Sequence, residues 1–328
     1  AELIQLTNST VRLGSSTPGQ EIFGRALFIT GEGGPGGVAS LTVNGPLLSS
    51  LNGALTVTGR LVEILPGAQL TANGTGDAPL VSITGGTHSI GTFSNSSIFF
   101  MQGRPTATTE ETADGIEITH GTDQPITTGR TLLGTSGATI TSEAGAVFDT
   151  MLFQATAPIF SASLGSSLTF ANDAILFSKN VKMTTAAPVV ALNASALTSM
   201  NGAILNLNGS SLLQASGDLF SLSNGSLLRT LNGPLIRVAN GSVLNVAGAL
   251  AAFFGSGNVI NVTNSLCASG CLTFPGGITV AFSGTPPGNV SIGSNPFRNP
   301  SSGSLVKSPN AAVIVIQGNS KVTIAGTP

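Results

Sequence analysis

The amino-acid sequence predicts an all-β chain folded as a parallel β-solenoid, and three observations predict it. The units PVVALNASALTSMNG, AILNLNGSSLLQASG, DLFSLSNGSLLRTLNG and PLIRVANGSVLNVAGA follow one another from Pro188 to Ala249. Apolar residues inside each unit alternate at strand spacing, as at Phe220 and Leu222. Only 8% of the 328 residues are charged, against about 25% in ordinary globular domains. A fixed period is typical of a stacked, quasi-one-dimensional architecture.

The repeat has a period of about 15 residues and a doubled period of about 30. Equivalent positions open the successive units, and they fall at Pro46, Arg60, Pro79, Pro158, Ala174, Pro188, Ala203, Asp218 and Pro234. One coil of the solenoid could contain one unit or two. Because units that begin with Pro alternate with units that begin with Ala, two units per coil is the favoured prediction.

Each unit has room for two strands of about five residues and two turns, with equivalent strands stacked about 4.8 Å apart. Neither strand can bury its apolar side alone, so neighbouring coils must pair in parallel. The general rule for parallel crossovers favours a right-handed β-helix. The repeated Asn-Gly steps are expected in turns that need a left-handed backbone, which both residues tolerate.

The repeat divides the chain into four predicted parts. Residues 1–43 are expected to form an N-terminal cap, with a strand at ELIQLT and a Gly-rich loop, GEGGPGG. Residues 44–283 form the solenoid, interrupted by an acidic loop at about 101–125. Residues 284–310 are rich in Pro, Ser and Asn and are predicted to be a linker. Residues 311–328 hold two strong strand patterns, AAVIVIQ and KVTIAG.

The C-terminal strand pair has two interpretations. It could be a hairpin that caps the last coil, whose backbone groups would otherwise be unpaired. It could also be an arm that adds to a neighbouring subunit by β-strand addition. The candidate inter-subunit strand residues are Val313, Ile314, Val315, Ile316, Val322 and Ile324.

Composition excludes several functional classes. The 12 Lys and Arg residues are scattered singly, whereas nucleic-acid binding needs clustered positive charge. No run of about 18 apolar residues exists to cross a bilayer as a helix. A lightly charged surface lowers the electrostatic barrier to self-association. We therefore expect copies of the chain itself as the main partner, with a host or matrix surface as another.

The two cysteines, Cys267 and Cys271, lie in SLCASGCLTF. They could be free thiols, a disulfide or, least favoured, metal ligands, because zinc needs four ligands and neither histidine is near in sequence. We expect the disulfide, which implies an oxidising, extracellular or cell-surface location. The first residues, AELIQL, have the form expected of a mature secreted protein whose signal has been removed.

Residue patterns give little support to catalysis, to a cofactor or to a metal site. The acidic loop carries Glu110, Glu111, Asp114, Glu117 and Asp123, but their spacing matches no Ca²⁺-binding loop. A solvated excursion is the favoured interpretation, and whether this loop binds Ca²⁺ stays open. Glycoside hydrolysis needs two carboxylates flanking one bond, and the other acids are isolated. We expect no enzyme, although a β-helical polysaccharide lyase or hydrolase stays an alternative.

The residue that precedes each predicted strand is also apolar. If its neighbour faces the core, this residue faces the other way and stacks into a stripe along the solenoid. The stripe could be buried at a corner, which is slightly favoured, or exposed as an assembly surface. The candidate assembly stripe comprises Leu80, Ile159, Val189, Ile204, Leu219 and Leu235.

The Leu-x-Val and Asn-Gly-Ser repeats of residues 46–93 and 158–249 carry a resemblance to a known class of proteins. On them the chain resembles secreted bacterial β-helical surface proteins of the filamentous haemagglutinin and autotransporter-passenger kind. The resemblance covers under half of the chain and transfers no functional residue. It implies an extracellular structural protein that assembles with itself into a fibre or surface layer. A monomeric surface adhesin or stalk is the alternative.

Overall fold

The chain folds into a long stack of short strands. The computed structural model describes residues 2–15, 17, 22–31, 39–75, 78–112, 115–265, 267, 270–284 and 287–327. These residues form 37 β-strands and three short 3-10 turns, and they contain no α-helix. The 3-10 turns are Pro275–Gly277, Pro287–Asn289 and Pro300–Ser302.

The first fourteen strands build three coils and one hairpin. They are β1 Ile4–Thr7, β2 Thr10–Leu13, β3 Leu27–Ile29, β4 Ala39–Val43, β5 Leu48–Leu51, β6 Ala54–Val57, β7 Val62–Ile64, β8 Ala68–Thr75, β9 Val81–Thr84, β10 Thr87–Ile90, β11 Phe99–Gln102, β12 Ala107–Glu111, β13 Glu117–Gly121 and β14 Ile126–Gly129.

The regular middle of the stack follows. Its strands are β15 Leu133–Ser136, β16 Thr139–Ser142, β17 Ala146–Ala155, β18 Phe160–Ser163, β19 Ser167–Phe170, β20 Ile175–Thr185, β21 Val190–Asn193, β22 Ala196–Ser199, β23 Leu205–Leu207, β24 Leu212–Ala215, β25 Phe220–Ser223, β26 Leu227–Thr230, β27 Ile236–Val238 and β28 Val243–Val246.

Nine further strands complete the C-terminal end. They are β29 Ala251–Phe254, β30 Asn258–Val262, β31 Leu272–Phe274, β32 Ile278–Ser283, β33 Val290–Ile292, β34 Phe297–Arg298, β35 Gly303–Lys307, β36 Ile314–Gln317 and β37 Lys321–Ile324.

Three long sheets form the faces of a parallel β-solenoid, which confirms the predicted fold class. The first face has the order β1-β5-β9-β15-β18-β21-β25-β29-β34, and the second has the order β2-β6-β10-β16-β19-β22-β26-β30-β35. The third face is a 14-stranded sheet, in which many coils contribute two strands or one long strand. A three-stranded sheet, β14-β8-β4, completes the early coils beside this face. The right-handed sense of the coil stays a prediction.

Strand registers confirm that one coil contains two repeat units. Val190 pairs with Phe220, and Leu205 pairs with Ile236, so each residue pairs with its equivalent two units later. Units that begin like Pro188 supply the first and second faces, through β21 and β22. Units that begin like Ala203 supply the two strands of the third face, β23 and β24. The alternation of the two kinds of unit therefore reflects different faces of one coil.

The Asn-Gly-Ser turn has a distinct role for each residue. Asn224 and Gly225 both have positive φ, 56° and 80°, so they form the left-handed turn predicted for them. Ser226 is fully buried, and its hydroxyl donates to the carbonyl of Ser223 at 2.7 Å. The same hydroxyl accepts from the backbone N–H of Ser195, one coil earlier, at 3.3 Å. Buried serines thus link coils through backbone groups that the turn leaves unpaired.

Asparagine side chains between the strands form further ladders along the stack. The Asn232 amide donates to Asn201 at 3.0 Å, and the Asn264 amide donates to Asn232 at 3.2 Å. A second ladder joins Asn224 to Asn193 at 2.8 Å. Each bond connects one coil to the next, so the amides stabilise the stack.

The solenoid extends beyond the boundaries predicted for it. Strands β1, β2 and β3 pair with β5, β6 and β7 and form the first coil, so residues 1–43 are not a separate cap. The predicted Gly-rich loop, GEGGPGG at 31–37, lies outside the described residues from position 32 onward. The predicted linker at 284–310 is also wrong, because β33, β34 and β35 lie there and pair with the body of the stack. Polar residues in this segment are turn residues between short strands.

The last two coils exchange their strands on the third face. Strand β36 lies between β27 and β32, and β37 lies between β28 and β33. The chain therefore places β32 and β33 one position further out before it lays down β34 to β37. The segment after β30 must cross the connection from β35 to β36, and two backbone hydrogen bonds mark the crossing: Cys267 N–H to Asn310 O at 2.9 Å, and Ala312 N–H to Ser265 O at 2.8 Å.

This topology corrects both interpretations of the C-terminal strand pair. The two strands β36 and β37 form no hairpin, because each pairs in parallel with the corresponding strand of the preceding coil. Nor do they form a free arm in this structure, because strands of the same chain pair with them on both sides. Val313, Ile314, Ile316, Val322 and Ile324 are fully buried, and only Val315 faces outward. A strongly apolar strand pattern is equally expected for a central strand of the solenoid.

Candidate functional site: the two ends of the solenoid

The N-terminal coil leaves its share of the core partly open. Most of its inward-facing side chains are only half-buried, whereas the equivalent side chains one coil later are buried. For example, Val11 is half-buried, but its partner Leu55 is 1% exposed. The half-buried members of the first coil are Ile4, Leu6, Val11, Leu13, Leu27, Ile29 and Leu41.

Large apolar side chains are also exposed near this end. Four of the nine exposed large hydrophobic residues in the described structure precede β4 in the chain. They are Leu3, Ile22, Phe23 and Phe28, between 37% and 61% exposed. Apolar surface concentrated in one region marks a contact site more often than isolated exposed residues do.

The first coil also offers backbone hydrogen-bonding groups. Among the described strands, β1 pairs only with β5, and β2 pairs only with β6. Ile4 and Asn8 donate their N–H groups to Leu47 and Leu51 on the β5 side. Since alternate residues of a strand point to opposite edges, the N–H of Gln5 points away from the stack. An edge of this kind is a template for another strand.

The C-terminal end differs because its third face is covered. Strand β31 pairs with β32 in antiparallel fashion and lies one position beyond the outermost parallel strand. It occupies the place that the third-face strand of an added coil would need. The inward residues beneath it, Ile278 and Val280, are fully buried. We call β31 and β32, with the turn between them, the C-terminal cap.

The predicted disulfide is confirmed, and it lies beside this cap. Cys267 and Cys271 are bonded, with their Cα atoms 5.5 Å apart. The bond closes a small loop in the segment that crosses over the connection to β36, and it leads directly into β31. A disulfide at this position is compatible with an extracellular location.

The acidic loop forms an antiparallel hairpin, β12–β13, that lies on the outside of the third face. Ile118 is fully buried and packs on Leu212 and Val243, two outward-facing residues of successive coils. Glu110 forms an ion pair with Lys182 at 2.6 Å, and this hydrogen bond lowers the pKa of the Glu110 carboxyl below its usual value. The apolar contact, the ion pair and a backbone hydrogen bond from the Leu152 N–H to the Asp123 carbonyl at 2.7 Å attach the excursion to the stack.

Among the described residues, the other acids of this loop do not gather into a metal site. No cluster of three or more potential ligands occurs in the described residues, and Asp114 lies outside them. Asp123 accepts a hydrogen bond from the backbone N–H of Arg104 at 2.9 Å, which serves the loop itself. Glu110 is paired with Lys182, so the negative charge of its carboxylate is already balanced.

The predicted assembly stripe is buried, as the slightly favoured interpretation of it expected. Leu80, Ile159, Val189, Ile204, Leu219 and Leu235 are at most 1% exposed. The alternation of side chains holds only within a straight strand. Each of these residues lies at a corner, where two consecutive side chains point inward. They therefore stabilise the core and offer no assembly surface.

His88 has a structural role. His88 is fully buried in the second face, where it replaces an aliphatic residue of the inward column between Leu55 and Ile140. Its Nδ1 accepts from the N–H of Leu55 at 3.2 Å, and its Nε2 lies 2.9 Å from the carbonyl of Gly85. Burial lowers the pKa of His88 below its usual value. A neutral ring that donates from Nε2 satisfies both contacts.

Comparisons of this chain with protein-family models, with characterised proteins and with solved structures found no match. The described residues contain no helix that is long and apolar enough to cross a membrane. The sequence analysis did not predict that residues 1–43 form an open first coil of the solenoid, although ELIQLT and TVRL have the strand alternation of the later coils. That alternation was the signal that could have found it.

Proposed function

We propose that this chain is an extracellular structural β-solenoid that self-associates through its N-terminal coil. The observation that carries the proposal is the contrast between the half-buried inward side chains of the first coil and the fully buried ones of the second. A second copy would bury that apolar surface and provide partners for the unpaired edges of β1 and β2. Burial of apolar surface and formation of hydrogen bonds at the strand edges both favour association.

The C-terminal cap favours assembly into a dimer of two rods and disfavours assembly into an open fibre. A fibre needs each C-terminal end to accept the N-terminal coil of the next copy, which is a head-to-tail contact. Strand β31 occupies the place that β3 of the next copy would take on the third face. Association of two N-terminal ends avoids this obstruction and leaves a cap at each outer end. A pair related by two-fold symmetry is also the commonest form of oligomer.

Low charge and the disulfide support the rest of the proposal. The chain carries 14 acidic and 12 basic residues in 328, so two copies meet with little electrostatic repulsion. The disulfide beside the cap supports assembly in an oxidising, extracellular space. A monomeric stalk is the alternative, and it differs in leaving the first coil without a partner copy.

The test compares two proline substitutions at opposite ends by sedimentation equilibrium. Gln5→Pro removes an N–H that points away from the stack, and proline is tolerated on edge strands. Lys307→Pro is the matched control, because Ser308 donates toward β30 and the N–H of Lys307 therefore points outward at the other end. We expect wild type and Lys307→Pro to be dimers and Gln5→Pro to be a monomer with unchanged circular dichroism.

Three outcomes would overturn the proposal. If the wild-type protein stays monomeric at high concentration, self-association is excluded. Dimers that persist in Gln5→Pro place the contact elsewhere. Fibres, or a loss of association in Lys307→Pro, show that the C-terminal end takes part despite its cap.

A further inference from the structure

A groove runs along the outside of the third face, close to the corner where the chain turns to the first face. It crosses β17, β20, β24, β28 and β37, and its volume is about 610 Å³. Five parallel strands about 4.8 Å apart give it a length of roughly 19 Å along the solenoid axis. The residues that form it include Gln154, Thr184, Gln214, Asn245 and Thr323, with small residues beside them.

Polar side chains form one in-register column along this groove, which we call the amide column. Gln154 pairs with Thr184, Thr184 with Gln214, Gln214 with Asn245, and Asn245 with Thr323. Each coil therefore contributes one uncharged side chain that can donate or accept a hydrogen bond. None of the groove-lining residues is ionisable, and none is aromatic.

The amide column differs from the asparagine ladders elsewhere on the solenoid. The amides of Asn224 and Asn193, or of Asn232 and Asn201, bond to each other between coils. In the described structure, Gln214 and Asn245 are neighbours in register, yet their side chains form no hydrogen bond. The Oδ1 atom of Asn245 is buried from solvent and has no partner. The side chains of Gln214 and Asn245 are thus not bonded to each other, so their exposed groups are left to face a ligand in the groove.

Small residues give the other side of the groove its shape. Two residues after each member of the amide column, the strands place Thr156, Ala186, Ser216, Ala247 and Ala325. These residues leave space for a chain that lies against the amide column. Mostly apolar lining beside a row of amides and hydroxyls suits a ligand that combines C–H faces with hydroxyl groups.

We propose that this groove binds an extended neutral polysaccharide. A chain lying along the solenoid axis must present a hydrogen-bonding group at each coil, about every 4.8 Å. That repeat is close to the length of one hexose ring in a β-1,4-linked chain. An extended peptide repeats its side chains on one face every 6.6–6.8 Å or so, so it loses register within a few coils. The lack of charge in the groove excludes recognition by ion pairs and favours neutral sugars over acidic ones.

Binding is tested by calorimetric titration of the folded protein with defined oligomers. The probes are the hexasaccharide of β-1,4-linked glucose, that of β-1,4-linked N-acetylglucosamine, an acidic hexagalacturonate, and a neutral extended peptide of equal length. We expect at least one neutral hexasaccharide to bind. Gln214→Ala and Asn245→Ala should each weaken that binding about three- to tenfold, the effect of one lost hydrogen bond.

Two further variants separate the groove from general effects. Ala186→Trp places a large side chain in the groove from an exposed position and should abolish binding. Thr169→Ala changes a half-buried, outward-facing residue of the second face and should leave binding unchanged. The proposal is overturned if neither neutral hexasaccharide binds, or if the acidic oligomer or the peptide binds more tightly. It is also overturned if Ala186→Trp and both column variants bind as wild type does.

Discussion

Ser226→Ala tests the role assigned to the serine of the Asn-Gly-Ser turn. The hydroxyl of Ser226 is the partner of the backbone N–H of Ser195, and no other acceptor for this N–H occurs in the described structure. The substitution therefore leaves one buried N–H unpaired, which costs about 1–3 kcal/mol. The Ser223 carbonyl loses one bond but keeps that from the Ala194 N–H, so its loss is about 1 kcal/mol or less.

The expected decrease in the free energy of unfolding is thus about 1–4 kcal/mol, with no change in overall structure. Guanidinium unfolding followed by circular dichroism measures it as a shift in midpoint at constant slope. Hydrogen exchange adds a local measurement, because the Ser195 amide should exchange faster in the variant. Ser221→Ala is the matched control on the same coil, since the Ser221 side chain is half-buried and outward-facing, and it should change stability by less than about 0.5 kcal/mol.

Equal midpoints for Ser226→Ala and Ser221→Ala would refute this reasoning. The same holds if the exchange rate of the Ser195 amide is unchanged. Either result would mean that the serine is repeated for its turn propensity and not for its bond to the preceding coil.

Three further predictions concern other contacts. Burial lowers the pKa of His88 in the folded chain, so the unfolded chain binds a proton at higher pH than the folded chain does. The free energy of unfolding should therefore fall as the pH drops below about 6.5. In denaturation measured at several pH values, His88→Leu should weaken this pH dependence. Replacing Cys267 and Cys271 by serine should lower the unfolding free energy by about 2 kcal/mol, the chain-entropy value for so small a loop, without changing sedimentation; an altered oligomer would contradict this. Ile118→Ala should cost about 2–4 kcal/mol and increase proteolysis within the acidic hairpin, whereas unchanged proteolysis would show that the hairpin is held by other contacts.

Most of the fold was predictable because the repeat is local. The alternation at Phe220 and Leu222 identifies a strand, and the spacing of Pro188 from Asp218 gives the coil length, since stacked coils must keep their inward columns in register. The left-handed turns at Asn224 and Gly225 followed from residue type alone. The sequence also predicted the disulfide from its short spacing and the glycine between the cysteines.

The C-terminal end was not predictable from local pattern. AAVIVIQ identifies β36 as a strand, but alternation does not determine which strand it pairs with. The exchange of the last two third-face strands depends on contacts between segments that are distant in sequence, such as Cys267 with Asn310. The amide column was equally hidden, because Gln154, Thr184 and Gln214 align only after the coils are placed in register.

Electron micrographs of the purified wild-type protein test the central claim most directly. Nine strands about 4.8 Å apart give the described stack a length of roughly 40 Å. The account predicts rods about twice that length, with the two N-terminal coils meeting at the centre and a C-terminal cap at each outer end. Rods with the length of a single copy, or fibres that grow without limit, would contradict it.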